Sequence, residues 1–113
     1  MKRYCQALDL IDDPEKIAAY IRQHERIWPE VAAHIRSTGV EQMQIWRIGT
    51  RLFMIMDVND SFSAERAEAL AQANPKIIEW EALMWQYQAA TPWADAGQKW
   101  VAMEQIFDLA AQP

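Results

Sequence analysis

A run of apolar residues in the middle of the chain narrows the possible folds more than any other segment. Leu52-Phe53-Met54-Ile55-Met56 follows the tight turn Gly49-Thr50, and Gln42–Ile48 before the turn also has strand character, so these segments predict a β-hairpin. Because side chains alternate between the two faces of a strand, Arg51–Val58 presents apolar groups on both faces. A strand of that kind must be covered on both faces of its sheet.

The rest of the chain divides into two further strands and two helical regions, each interrupted by a proline. The sequence predicts a first strand over Arg3–Leu10, followed by a helix that starts at Asp13-Pro14, breaks at Pro29 and restarts over Glu30–Thr38 before Gly39. A second helix begins at Ser63, is interrupted at Asn74-Pro75 and ends near Tyr87. A loop over Ala90–Gln98 then leads to a last strand over Trp100–Leu109. The order β-α-β-β-α-β is the ferredoxin-like arrangement of an α+β fold, with helices on one face of an antiparallel sheet. The other face then requires cover, from a second copy of the chain, from a ligand pocket, or from both.

Length, composition and charge limit the class of protein. With 113 residues, of which 51% are hydrophobic, the chain is expected to form a single domain over residues 1–113. The net charge of −5 and the lack of a basic run argue against nucleic-acid binding, and no apolar segment approaches the ~18 residues of a membrane span. The lone Cys5 cannot form an intrachain disulfide, and the first six residues lack the apolar core of a secretion signal. We therefore expect a cytoplasmic protein.

One predicted helix carries an unusual stripe of side chains. Tyr20, His24 and Trp28 are spaced four residues apart, so on a helix they lie along one face. A core stripe is usually built of Leu, Ile and Val, whereas this one combines a phenol, an indole and an imidazole that titrates near neutral pH. The stripe indicates the wall of a pocket for a small polar ligand, with His24 as proton donor or acceptor; alternatively, His24 is a hydrogen-bonded packing residue. His34 has no partner at ligand spacing and is interpreted as a surface residue.

The common patterns for metal, phosphate and nucleophilic chemistry are missing from the sequence. No two histidines lie three or four residues apart, and the three glycines are scattered, so we expect no metal site and no nucleotide cofactor. Six tryptophans are many for so short a chain, and the face of an indole matches the apolar C–H face of a pyranose. Trp80 and the aromatic residues near it therefore have two interpretations, as a sugar platform or as core and dimer interface. A neutral monosaccharide is compatible with this pattern.

These residues also match a known family. Tyr20-x-x-x-His24, followed by Ile27-Trp28-Pro29-Glu30 and by Gly39, resembles the L-rhamnose mutarotase family, and Met103–Leu109 is similar to that family's last strand. The resemblance extends over essentially the whole chain. It implies a dimeric ferredoxin-like α/β barrel whose activity is to interconvert the α and β anomers of a deoxy-hexose without a cofactor.

The resemblance also assigns roles to single positions. It implies that His24 is the proton donor and that Tyr20 binds the sugar. The family's second sugar-binding tyrosine falls on Met43, and its two consecutive tryptophans fall on Trp80 and Glu81. Since two of these positions depart from the family pattern, we expect the same reaction on another sugar, L-fucose before L-rhamnose. Glu81 would accept a hydrogen bond from a hydroxyl that L-rhamnose presents elsewhere.

The mechanism that the resemblance implies opens the pyranose ring. His24 protonates the ring oxygen, and the proton of the anomeric hydroxyl goes to His24 acting alternately, to Tyr20, to Glu81 or to water. Trp28 and Trp80 would hold the apolar face of the sugar. Two other functions would suit the same scaffold. One is a small monooxygenase-like dimer, cofactor-free or haem-binding, with His24 in its pocket. The other is a sugar-binding protein without catalysis.

Overall fold

The computed structural model describes all 113 residues, which form five strands, four α-helices and a short 3₁₀ helix. In chain order these are β1 (Lys2–Leu10), α1 (Pro14–Glu25), α2 (Pro29–Ser37), β2 (Val40–Ile48), β3 (Arg51–Val58), α3 (Ala64–Gln72), α4 (Pro75–Trp85), β4 (Gln88–Ala89), β5 (Val101–Ala102) and the 3₁₀ helix (Leu109–Ala111). Both predicted helical regions are thus divided in two at a proline. None of the helices has the length and apolar character needed to cross a membrane.

The strands form one antiparallel sheet in the order β2-β3-β1-β4, and β5 also pairs with β1. β1 and β3 pair from Lys2 to Asp9, while β2 follows β3 beyond a bulge between Val40 and Gln42. Leu10 of β1 and Leu52 of β3 belong to one buried cluster with residues of α1, α2 and α4. This strand order, with helices against one face, confirms the ferredoxin-like α+β fold predicted from the sequence.

The helix boundaries follow from capping groups in the sequence. The Asp13 side chain accepts hydrogen bonds from the backbone N–H groups of Glu15 and Lys16, which have no partner within the first turn of α1. Trp28 has extended backbone angles (φ −59°, ψ 137°), because the following Pro29 disfavours helical geometry there. Gly39 ends the second helical segment at φ +103°, where an added Cβ would lie only 2.7 Å from Asn59 Oδ1. The starts and ends of these helices, including the turn at Gly39 before the hairpin, are therefore determined by residues next to them in the sequence.

The core lies between the sheet and the helices. Seven side chains form its buried cluster: Leu10, Tyr20, Val31, Leu52, Ile77, Trp80 and Met84. On α1, Ile21 remains 41% exposed although its neighbour Tyr20 is buried. Ile21 follows Tyr20 by about 100° around the helix, so the two side chains lie on different parts of the helix surface.

The predicted last strand over Trp100–Leu109 exists only as the two residues Val101–Ala102, so its predicted extent is wrong. Only Val101–Ala102 pairs with β1, and one further backbone bond joins Met103 N–H to Cys5 O at 2.8 Å. The fourth position in the sheet belongs instead to Gln88–Ala89, directly after α4. The alternation of apolar residues near the C-terminus does not lead to strand pairing, because beyond Met103 the chain makes no further backbone hydrogen bond to β1.

The sheet face that points away from the helices has no cover within the chain. By alternation with the buried Leu52, this outer sheet face carries the side chains of Gln44, Trp46, Ile48, Phe53 and Ile55. Trp46 is 61% exposed and Ile48 82% exposed. The C-terminal tail, residues 103–113, is exposed throughout and includes apolar side chains at Ile106, Phe107 and Leu109.

Candidate active site

A cavity of about 390 Å³ opens between the inner face of the sheet and the helices, and we call it the central cavity. Its size lies within the range of about 300–1,000 Å³ that is typical of small-molecule sites. Seventeen of its 24 lining residues are hydrophobic, so its few polar groups would determine how a ligand is oriented. The walls include the side chains of Val31, Met43, Met54, Met56, Trp80 and Trp100.

His24 lines this cavity with a defined arrangement of its two ring nitrogens. Nδ1 lies 2.8 Å from the backbone oxygen of Tyr20, and because a carbonyl can only accept, Nδ1 carries the proton of the neutral ring. Nε2 is then the unprotonated nitrogen. Burial lowers the pKa of His24 below its usual 6.5, and the hydrogen bond to the Tyr20 carbonyl opposes this only in part. At neutral pH the residue therefore offers a lone pair on Nε2 that can accept a proton.

Aromatic rings surround the imidazole. The Tyr20 ring centroid is 4.3 Å from that of His24, and the Trp80 ring meets His24 edge-on at 5.8 Å. Trp28 packs edge-on against Trp80 at 5.1 Å but does not line the central cavity. Of the helical stripe predicted from sequence spacing, only Tyr20 and His24 lie on α1; Trp28 lies beyond the end of α1, where the chain has left helical geometry, and packs against Trp80.

The Tyr20 hydroxyl lies in the cavity wall beside a residue that the sequence reasoning missed. Gln88 Nε2 donates a hydrogen bond to the Tyr20 hydroxyl oxygen at 3.3 Å, and Gln88 lines the same cavity. Burial raises the pKa of Tyr20 above its usual 10.0; the hydrogen bond from Gln88 opposes this rise and the charge of Glu81 adds to it. Tyr20 is therefore a neutral phenol at physiological pH. No local pattern distinguishes Gln88, since only pairing with β1 turns its side chain inward.

Met43 and Glu81, the two positions that depart from the family pattern, both line the cavity. Met43 lies on β2 opposite Met56 and is half-buried. The side chain of Glu81 is 55% exposed and pairs with Lys99 at 3.0 Å between Oε2 and Nζ. An exposed ion pair of this kind adds little stability, about 0–1 kcal/mol. It does join α4 to the segment that brings Trp100 to the cavity wall.

The interpretation of His34 as a surface residue is wrong. His34 is half-buried and lines the central cavity. Spacing alone did not reveal this, because α2 is a separate helix whose direction after Pro29 the sequence does not specify. Neither in the cavity nor elsewhere in the chain do three His, Cys, Asp or Glu side chains come together in a group that could hold a metal ion.

Comparison with known proteins identifies relatives along nearly the full chain. The family model described as L-rhamnose mutarotase matches residues 3–109. The chain is 40% identical over 112 residues to an L-fucose mutarotase of Xanthomonas campestris pv. campestris. The aligned region covers 97% of this chain and 90% of the relative. It is 34% identical over 112 residues to a UPF0734 protein of Dictyostelium discoideum, covering 96% of this chain and 90% of that protein.

Two solved structures share the fold. An L-rhamnose mutarotase from Formosa agariphila superposes with a TM-score of 0.70 at 20% identity, covering 96% of this chain and 99% of that one. The tetracenomycin F2 cyclase of Streptomyces glaucescens superposes with a TM-score of 0.58 at 17% identity, covering 96% and 98%. At these identities the likeness concerns the fold, and it agrees with the ferredoxin-like arrangement described above.

Proposed function

This chain belongs to the L-rhamnose mutarotase family of carbohydrate isomerases, and we propose that it interconverts the α and β anomers of a 6-deoxy-hexose. L-Fucose is the substrate that we propose as preferred, with L-rhamnose second. The relative at 40% identity, an L-fucose mutarotase, supports this order. The observation that carries the proposal is His24 in the lining of a mainly apolar cavity, with its Nδ1 engaged by the Tyr20 carbonyl, which leaves Nε2 to accept a proton.

The cavity walls suit a deoxy-sugar. A pyranose with a methyl group in place of one hydroxyl has apolar C–H surface that can pack against Trp80 and Met43. Hydroxyl groups would find partners among the few polar groups of the lining, with Tyr20 and Glu81 as sugar ligands. Glu81 would accept a bond from a hydroxyl at the cavity rim, where Lys99 holds its carboxylate in place. Trp28 would act through Trp80, against which it packs.

Ring opening then requires one proton to leave and one to arrive. His24 Nε2 takes the proton of the anomeric hydroxyl, whose electron pair forms the aldehyde carbonyl as the bond between the anomeric carbon and the ring oxygen breaks. The imidazolium returns the proton to the ring oxygen. Rotation about the bond between the first two carbons, followed by the reverse steps, gives the other anomer. Tyr20, Glu81 and water are the alternative carriers for one of these transfers.

The energetic demand on the site is modest. The reaction proceeds spontaneously in water, and a positioned acid–base group accelerates proton transfer by roughly 10²- to 10⁴-fold. His24→Ala is therefore expected to reduce anomer exchange by about that factor, to the spontaneous rate. Saturation-transfer NMR on L-fucose measures the exchange directly.

The matched control is Arg22→Gln, two residues away on the exposed side of the same helix, which should exchange the anomers at the wild-type rate. Exchange by His24→Ala at the wild-type rate would contradict the role of the imidazole. A wild-type protein that binds L-fucose but leaves exchange at the spontaneous rate would instead be a sugar-binding protein without catalysis.

We further propose that the protein is a homodimer. Two observations support it: the outer sheet face exposes Trp46 and Ile48, and the C-terminal tail exposes Ile106 and Phe107. In a two-fold pair, each tail could lie on the partner's sheet, so both apolar surfaces would be covered reciprocally. We also propose a reducing compartment, the cytoplasm, which the unpaired Cys5 supports.

A further inference from the structure

We propose that Gln88 determines which sugar the central cavity accepts, by binding one hydroxyl group of the substrate together with Tyr20. The inference rests on the proposed function and deepens it. It begins from a polar group without a partner. Gln88 is only 7% exposed, its Nε2 donates to the Tyr20 hydroxyl, and its Oε1 has no hydrogen-bond partner in the folded chain.

A buried acceptor without a partner is unfavourable, and most native proteins avoid one. Gln88 differs from an ordinary buried amide because its side chain lines the central cavity, where a ligand can supply the missing donor. The other buried side-chain atom without a partner is Thr91 Oγ1, three residues further along the chain. Thr91 does not line the cavity. The structure thus contains two similar orphaned atoms, of which only Gln88 Oε1 belongs to a residue that lines the cavity.

The direction of the hydrogen bond between Gln88 and Tyr20 defines what the pair can bind. Since the amide N–H donates to the phenol oxygen, the hydroxyl hydrogen of Tyr20 is free to donate elsewhere. Because burial raises its pKa, that hydrogen stays in place at physiological pH. Tyr20 is then a donor and Gln88 Oε1 an acceptor, side by side in the wall. A sugar hydroxyl is both acceptor and donor, so one hydroxyl can satisfy both groups.

This pairing provides discrimination between epimers. A sugar that directs the relevant hydroxyl elsewhere leaves the amide oxygen and the phenol hydrogen buried and unpaired, which disfavours its binding. Gln88 does not touch His24 in the hydrogen-bond network, so its contribution is to binding and orientation. Gln88 is therefore a positioning and specificity residue, and the proton transfers remain with His24.

The test replaces Gln88 with methionine, which keeps the length of the side chain but removes both polar groups. We expect Gln88→Met to raise KM for L-fucose by roughly 3- to 30-fold, with kcat changed by less than about 2-fold. The ratio of kcat/KM for L-fucose to that for L-rhamnose should fall toward one. Thr91→Val is the matched control, because it removes the other orphaned polar atom outside the cavity; its KM and sugar ratio should equal those of the wild type.

A series of monodeoxy analogues of L-fucose identifies the hydroxyl. Affinities are measured by titration of tryptophan fluorescence. For the wild type, the analogue that lacks the hydroxyl bound by Gln88 should have a lower affinity than L-fucose. For Gln88→Met, the same analogue and L-fucose should bind with equal affinity. If Gln88→Met does not fold, Gln88→Asn retains a buried amide but draws its oxygen back from the cavity, and the same loss is expected. An unchanged KM and sugar ratio in the folded variant would overturn the inference.

Failure of the proposed function gives a different result. If the wild type binds L-fucose without accelerating exchange, the mutarotase activity is rejected, while the affinity ratios of wild type and Gln88→Met still decide the role of Gln88. If the wild type binds none of the sugars, both proposals are overturned. If the wild type accelerates exchange, and Gln88→Met, Gln88→Asn and Thr91→Val all have its KM and sugar ratio, only the inference about Gln88 is rejected.

Discussion

At the scale of single residues, the properties of His24 depend on two neighbours that act in different ways. The Tyr20 carbonyl fixes which nitrogen carries the proton, and burial among Tyr20 and Trp80 favours the neutral ring. The sequence predicted that Tyr20 and His24 share one helix face, and their rings lie 4.3 Å apart. It could not indicate the tautomer or the burial, because both depend on atoms that packing brings into place.

The lowered pKa of His24 predicts the pH dependence of the reaction. If the neutral imidazole starts the proton transfer, kcat/KM should be constant above pH 7 and should fall as the pH is lowered, with a midpoint below 6.5. The sign follows because a lowered pKa keeps the ring neutral to more acidic pH. Saturation-transfer measurements across the range, with the spontaneous rate subtracted at each pH, would test this. A rate that increases on acidification would contradict the prediction and favour the imidazolium as the starting form.

At the scale of elements, capping groups and prolines account for where the helices begin and end. Asp13, Ser63 and Asn74 each precede a helix and accept a bond from a backbone N–H of its first turn. These signals act over a few residues, and the sequence predicted helix starts at Asp13-Pro14 and Ser63 and an interruption at Asn74-Pro75. The last strand was wrongly predicted for the opposite reason. Pairing along a sheet edge depends on residues far away in sequence, and β1 pairs both with Gln88–Ala89 and with Val101–Ala102.

The cap of α1 gives a prediction at this scale. Asp13→Ala removes the acceptor for two N–H groups and should lower the free energy of unfolding by about 1 kcal/mol, which lowers Tm by roughly 3–6 °C. Urea and thermal unfolding measure both values. Asp12→Ala is the control, since Asp12 is exposed and accepts no hydrogen bond. An equal loss in the two variants would show that charge near the helix end, not the cap, stabilises α1.

At the scale of the whole molecule, only one of the two faces of the sheet is covered by helices. The helices pack on the inner face of the sheet, while the outer sheet face and the C-terminal tail both expose apolar side chains. Apolar surfaces of this kind on one molecule commonly mark an interaction site. The sequence indicated the uncovered face through the two-sided apolar pattern of Leu52–Met56. It misread the tail as a strand within the same chain.

The proposed dimer can be tested on the outer sheet face. Trp46→Glu places a charge where the partner is expected to pack, and it should shift the protein from dimer toward monomer, with a measured mass approaching the 13.1 kDa of one chain. Ile78→Glu places the same charge on an exposed apolar residue of α4, on the helical side, and should leave the dimer intact. Sedimentation velocity over a range of concentrations distinguishes the two. A monomeric wild type, or equal dissociation in both variants, would contradict this interface.

The sequence by itself determined the order of the elements as far as α4, the starts and breaks of the helices, and the helix face that carries Tyr20 and His24. Each of these depends on residues within one or two turns of each other, where backbone geometry and local hydrogen bonds dominate. Only the tertiary structure decided that Gln88 reaches Tyr20 across 68 positions of the chain, that His34 joins the cavity, and that Trp28 packs against Trp80. Those placements arise from packing between distant segments, whose directions no local pattern encodes.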